Sequence, residues 1–298
     1  MKKVNICPQI ILNPINKNLL SQEEKMSRKF SLAYLTIPGT NPVEQIKIAA
    51  EAGYDFVSLR PIPMHLPNEP LFQFDLDRKL FKDIRNELEQ NDIRLMDIEL
   101  ARVREDLKVE DYESAFAAGA ELGATDVLSS IWTKDKEFAF KEFEKICDLA
   151  AKYNLKVNLE FVTFSGVPGL TGALEVLDKV GRPNAYLMVD TLHAHRSMVR
   201  PEDLSKVDRK KFGFIHLCDG PLEIPSLEDP SMIGVAREGR LYTGEGEIDI
   251  KGMLLAMPNN PISIELPNSK EMEERGAAGH AARCLKTAKE FFADNEIE

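Results

Sequence analysis

Residues 185–196 read AYLMVDTLHAHR: a short run of apolar and β-type residues ends on Asp190 and passes straight into a histidine-bearing segment. A run this short and this apolar suits a parallel strand covered on both faces, with its polar C-terminal end at an open rim. The same form recurs seven times after residue 29, as FSLAYLTI (30–37), FVSLRPI (56–62), RLMDIELA (94–101), DVLSSIW (126–132), KVNLEFV (156–162), FGFIHLCD (212–219) and PISIELP (261–267). Amphipathic stretches separate these runs. The first is signed as a helix by Asn41 as cap, Pro42 at its first position and Gly53 at its end. Further helices are expected at about 75–91, 110–122, 135–153 and 271–292, with short ones near 201–210 and 249–257. Eight strand–helix alternations without a separate linker predict a single (β/α)8 TIM barrel over residues 30–298. An open dinucleotide-binding sheet is disfavoured because no G-x-G-x-x-G follows the first run. The connection after the seventh run, from Asp219 to about Ile248, is the longest and is expected to cover the catalytic face.

Residues 1–25 show neither period, and residues 1–29 are expected to form an N-terminal extension, poorly ordered or a mis-assigned start. The stretch QEEKM (22–26) is what a purine-rich ribosome-binding site would spell in translation, which points to Met26 as the start. The whole chain, 43% hydrophobic and 29% charged, is globular in composition. A formal net charge of −11 argues against a nucleic-acid partner. No apolar run approaches the roughly 20 residues of a membrane span. Cys7, Cys147, Cys218 and Cys284 lack any C-x-x-C spacing, the pattern of reduced thiols in a cytoplasmic protein. Self-association into a homo-oligomer is left open.

In a barrel, alternate strand residues point inward and those nearest the C-terminal end reach the active site. By that parity Asn158 and Glu160 share the inner face of the fifth strand, Met188 and Asp190 that of the sixth, Phe214 and His216 that of the seventh, and Ser263 and Glu265 that of the eighth. Any single polar strand end is ordinary. Four consecutive strands, each offering an ionisable group at the same rim, are not, because three converging carboxylates repel unless they are protonated or share a cation. A set rich in hard oxygen donors suits Mn²⁺ or Mg²⁺, with Co²⁺ or Zn²⁺ as alternatives.

The phrases NLEFV, MVDTLH, FIHLCD, YTGEGEIDI and SIELP, in that order, resemble the sugar phosphate isomerase/epimerase superfamily of xylose isomerase-like barrels, from about residue 30 to the C-terminus. The resemblance implies that Glu160, Asp190, His216 and Glu265 are metal ligands, that His193 of the Asp-x-x-His motif touches substrate, and that Arg240 enters the site from the seventh loop. It implies a small polyhydroxy carbonyl substrate, proton abstraction through a metal-stabilised enediolate, and Glu160 and Glu265 as the two catalytic bases of an isomerase or epimerase. Loss of a hydroxyl β to the carbonyl would instead make the enzyme a dehydratase of a keto-polyol or dehydroshikimate-like acid. A non-catalytic carbohydrate-binding barrel is the alternative outside enzymology. The endonuclease IV-type relatives are disfavoured, since they need a histidine-rich zinc site and a basic face, against five histidines and a net charge of −11 here.

Other residues are read from position alone. Arg60 has inward parity with Ser58 and suits either a substrate carboxylate or hydroxyl or a salt bridge within the barrel. Glu99 and Arg102 straddle the end of the third strand, so one of them is expected to face the pocket, and parity selects Glu99. Trp132 is a candidate pocket wall, or core. His195 has a site role or a loop role, His65 belongs to a proline-rich loop that suits part of a lid, and His280 is structural or exposed. The GEG of TGEGE lacks the lysine and the strand-to-helix setting of a phosphate loop.

Overall fold

The computed structural model describes residues 28–65 and 69–297. The expectation for residues 1–29, including a start at Met26, lies outside the described residues except for Arg28 and Lys29, as does part of the loop PIPMHLPNEP. Eight strands close into a barrel in sequence order: β1 (Phe30–Leu32), β2 (Phe56–Leu59), β3 (Arg94–Val103), β4 (Asp126–Ile131), β5 (Lys156–Glu160), β6 (Ala185–Asp190), β7 (Phe212–Leu217) and β8 (Ile262–Ile264). Every neighbouring pair is parallel, including the closing pair β1–β8.

Helix α1 (Pro42–Ala52) has the expected ends: Asn41 Oδ1 accepts from Val43 N at 2.9 Å, and Gly53 closes the last turn at φ 86°. Helices α2 (Arg78–Asn91), α3 (Glu113–Glu121) and α4 (Lys136–Ala151) follow where the amphipathic period placed them. Helix α5 (Leu170–Val180), between β5 and β6, went unread in the sequence; it starts at Gly169, which supplies no side-chain cap. After β6 the chain turns at once into α6 (Thr191–Arg196), and α7 (Pro201–Leu204) is only one turn long. The long connection after β7 carries α8 (Pro230–Glu238) and leads to α9 (Ile250–Ala256). Helix α10 (Ser269–Asp294) is interrupted at Gly276. No helix among the described residues is long and apolar enough to cross a membrane.

Apolar residues between the strands and the helical ring form the main core. A second, smaller cluster fills the barrel itself: Met96, Leu100, Leu128, Met188 and Phe214. Polar contacts also lie within the barrel: Ser58 donates to Asp97, Ser31 and Ser58 lie 3.0 Å apart, and Asn158 Nδ2 donates to Asp126 at 2.8 Å. The apolar plug separates the strand ends of the C-terminal rim from the bottom of the barrel.

Strand β3 departs from simple alternation. Its register shifts against β2 between Val57 and Ser58, and against β4 between Ile98 and Ala101, where β3 spends one extra residue. The loop after β5 packs on the end of β4 through Gly166, whose N–H donates to Ile131 O at 2.9 Å. A Cβ there would lie 1.9 Å from the Thr133 carbonyl oxygen, which is backbone and has little freedom to retreat. Gly166→Ala is therefore expected to cost about 1–3 kcal/mol in urea unfolding. It should also alter the emission of Trp132, the single tryptophan, whose ring lies 6.1 Å from Phe164 of the same loop; unchanged emission and stability would contradict this packing.

Candidate metal centre and active site

At the C-terminal rim, β5, β6, β7 and the residue after β8 deliver Glu160, Asp190, His216 and Glu265. One ligand atom from each lies within 4.8 Å of all the others, and all four residues are buried. Register accounts for part of this, since Asp190 and His216 are paired across β6–β7 and both side chains turn inward. His216 Nδ1 stands 3.4 Å from Glu265 Oε2, 3.9 Å from Asp190 Oδ2 and 4.0 Å from Glu160 Oε1. None of these approaches has hydrogen-bond geometry, and both imidazole nitrogens are buried without a hydrogen-bond partner. An imidazole aimed at three carboxylates yet bonded to none is the donor arrangement of a cation site.

Arg240, buried in the seventh loop, partly neutralises the cluster. Its Nη1 donates to Asp190 Oδ2 at 2.6 Å and its Nη2 lies 2.8 Å from Glu265 Oε2, while Nε donates to Ala236 O at 2.9 Å. The other oxygen of Asp190 accepts from His193 N at 3.0 Å, so this aspartate is also the N-cap of α6. The spacing Asp-x-x-His is thereby explained: a cap and the third residue of its helix must lie three apart.

The titrations follow from these contacts. Burial raises the Glu160 carboxyl well above its usual range, and Glu265 and Asp190 push it the same way against His216 and Arg240. Burial acts likewise on Glu265, but His216 and Arg240 outweigh it and hold that carboxyl below its usual range. Burial would lower His216, yet Glu265, Glu160 and Asp190 prevail and hold it up at about 10. The cluster thus favours a positive charge among its carboxylates. Three carboxylate oxygens and one imidazole nitrogen fit a divalent ion better than they fit a proton on one nitrogen.

Glu160, Glu265 and Arg240 of this group line a cavity of about 360 Å³. Its wall includes Trp132, Phe164 and His193, with the Phe164 ring edge-on to His193 at 5.5 Å and tilted to Trp132 at 6.1 Å. Burial lowers His193 to about 4, and Nδ1 lies 3.3 Å from Thr163 Oγ1, so the ring is neutral near pH 7. This histidine sits on α6, because Asp190 starts a helix immediately after the strand.

The structure treats the remaining candidates differently. Arg60 lines the cavity and pairs with Glu99 at 2.7 Å, its guanidinium 4.5 Å from the centre of the Tyr34 ring. Glu99 is fully buried behind Arg60 and does not line the cavity; Arg102 does, contrary to the parity expectation. The extra residue between Ile98 and Ala101 shifts the alternation, so position 102 reaches the rim. His195 lies outside the cavity, with Nε2 2.9 Å from Leu222 O. His65 is among the cavity residues. His280 is buried between Tyr242 and the Leu266 carbonyl, away from the site. Sequence reading missed Phe164, Arg104 and Arg237; each follows a strand or sits in the long loop, where no period orients a side chain.

Comparison with known proteins places these observations in context. The family described as "Xylose isomerase-like TIM barrel" matches residues 46–288. An inosose isomerase of Bacillus velezensis is 24% identical over 287 residues, covering 86% of this chain and 92% of that protein. Among solved structures, an IolI protein with a bound zinc atom superposes with a TM-score of 0.73 at 21% identity, covering 90% of this chain and 99% of its own. The probable 3-DHS dehydratase AsbF of Bacillus anthracis superposes with a TM-score of 0.69 at 16% identity, covering 88% and 98%.

Metal binding here competes with protonation of His216, whose proton must leave for the nitrogen to act as a ligand. Because the imidazole is held up at about 10 in the metal-free site, affinity for Mn²⁺ should rise by about tenfold per pH unit between about pH 6 and 9. Titration of chelator-stripped protein at several pH values measures this; a pH-independent affinity would contradict it. His216→Ala should lose at least about 10-fold in affinity, comparable to the loss of ligand support elsewhere.

Proposed function

The chain belongs to the xylose isomerase-like TIM barrel family and is an enzyme of the isomerase or epimerase type, and on that premise we propose that it is a divalent-metal-dependent isomerase or epimerase of a small polyhydroxy carbonyl compound. The observation that carries this reading is the convergence of Glu160 and Glu265, from different sides of the barrel wall, on the same buried cluster, where both line one cavity. Glu160, Asp190, His216 and Glu265 would hold a divalent ion, which would supply the Lewis-acid activation that acidifies a C–H next to a carbonyl. The oxygen-rich donor set favours Mn²⁺ or Mg²⁺, and zinc, carried by the IolI relative, is the alternative.

The residues of this chain divide the remaining work. Glu160 takes the proton at carbon: it has no bond from Arg240, and burial beside other carboxylates raises its proton affinity, as a base working near neutral pH requires. Glu265, bonded by Arg240 and ionised at rest, would serve the opposite face: it takes the proton when the reaction runs in reverse, and in the forward sense it returns to carbon a proton first acquired from solvent, while Glu160 releases its own to solvent. Neutral His193 faces the cavity as a hydrogen-bond partner for a substrate oxygen. Trp132 and Phe164 offer apolar faces to the carbon skeleton and keep that wall dry.

The test is solvent exchange. Metal-loaded protein incubated in D₂O with ketoses, keto-inositols and dehydroshikimate-like acids should place deuterium α to the carbonyl of one of them without loss of water. Formation of an enone would make the enzyme a dehydratase on the same site. Glu160→Gln and Glu265→Gln should each slow exchange by about 10²–10⁴-fold. Full activity in either variant would remove the two-base mechanism.

A further inference from the structure

The cavity that reaches Glu160 and Glu265 is rich in positively charged lining residues. Arginines 60, 102, 104, 237 and 240 all line it. Three of them are already matched: Arg60 by Glu99, Arg104 by Asp106 at 2.7 Å, and Arg240 by Asp190 and Glu265. The three carboxylates of the metal cluster are in turn balanced by Arg240 and a divalent cation. Arg102 and the exposed Arg237 remain, and among the described residues neither makes an ion pair.

Arg102 is the informative one, because it is only 4% exposed. Its Nη2 donates to the carbonyls of Pro63 at 3.3 Å and Met64 at 3.2 Å, which fixes the guanidinium in place. Its Nε is buried and has no acceptor. A buried guanidinium with an unused donor and no carboxylate partner is costly unless a ligand supplies the missing anion. Burial lowers its pKa, Arg104 and Arg60 push the same way, and Tyr112 and Glu69 push against them. The chain as a whole is strongly acidic, with a net charge of −11, so this local excess does not reflect a generally basic surface.

Resting on the isomerase or epimerase reading above, we propose that the substrate is an anion, a polyhydroxy carbonyl compound bearing a carboxylate or phosphate group that binds Arg102 while its carbonyl end lies at the Glu160–Glu265 cluster. Arg237 adds long-range attraction from the exposed rim. Arg60, already paired with Glu99, contributes its unpartnered Nε as a lesser donor.

The experiment measures binding, so that it does not depend on turnover. Calorimetry on the Mn²⁺-loaded full chain compares D-fructose, its terminal monophosphate and a keto-D-gluconate. At least one charged probe should bind about tenfold or more tighter than the neutral one, and whichever is favoured identifies carboxylate or phosphate as the recognised group. Arg102→Gln should bring the charged-to-neutral affinity ratio close to one, and Arg102→Lys should restore part of it. An anion that simply sits on the metal would keep its preference in Arg102→Gln, and that result overturns the proposal. Equal binding of all three probes by the wild type overturns it as well, and so does an equal loss for every probe in Arg102→Gln, which would reduce Arg102 to a support for residues 63–64. Failure of D₂O exchange with the binding preference intact would instead count against the isomerase reading alone.

Discussion

Mutual repulsion among Glu160, Asp190 and Glu265 governs the architecture of the barrel mouth. At separations within 4.8 Å, each pair of unit charges repels by roughly 3–4 kcal/mol at an effective dielectric of about 20. Three such pairs equal the net stability of an ordinary domain, about 5–15 kcal/mol, so the cluster needs positive charge built in or a proton on a carboxyl. Arg240 supplies part of that charge, and it is held for that purpose. Its backbone N–H donates to Pro267 O, and its carbonyl accepts from Asn268 Nδ2 at 2.9 Å. The long loop that carries it is pinned at its base by Asp219, whose carboxylate accepts from the backbone N–H groups of Gly220, Gly244 and Ile248. A loop so fastened delivers a preorganised guanidinium, and the remaining negative charge is left to a cation.

The rest of the fold serves this arrangement. The plug of Met96, Leu100, Leu128, Met188 and Phe214 lies across the barrel beneath the site, which keeps the local dielectric low and makes each charge interaction count for more than it would in water. Asp190 links the four-residue cluster to the cavity wall through the start of α6, since the same carboxylate that faces His216 also fixes the helical turn bearing His193. Cluster and cavity wall are therefore positioned by one side chain.

Much of this was legible in the sequence because the residues at the ends of β5 to β8 keep their inward parity, even though the β6–β7 register shifts between Leu187 and Val189. Period-two parity sends Glu160, Asp190, His216 and Glu265 the same way, and Met188 and Phe214 duly lie in the plug two residues below Asp190 and His216. On β3 the same rule fails. An extra residue between Ile98 and Ala101 shifts the alternation, so Glu99 ends behind Arg60 and Arg102 comes to the cavity. Nothing in RLMDIELARV announces a bulge, since no glycine marks it. Phe164 and Arg237 were unreadable for a different reason: they lie outside the strands, where tertiary packing alone sets direction. Helix α5 escaped notice because its first turn has no side-chain cap.

The central claim is that four strand ends form one cation site. Anomalous X-ray diffraction from crystals grown with Mn²⁺ tests it directly. The account predicts a single strong peak within about 2.0–2.4 Å of one donor atom from each of Glu160, Asp190, His216 and Glu265, the contact range of such ions. A map with no peak at this cluster, or with the metal held elsewhere while these four side chains keep their positions, would contradict it.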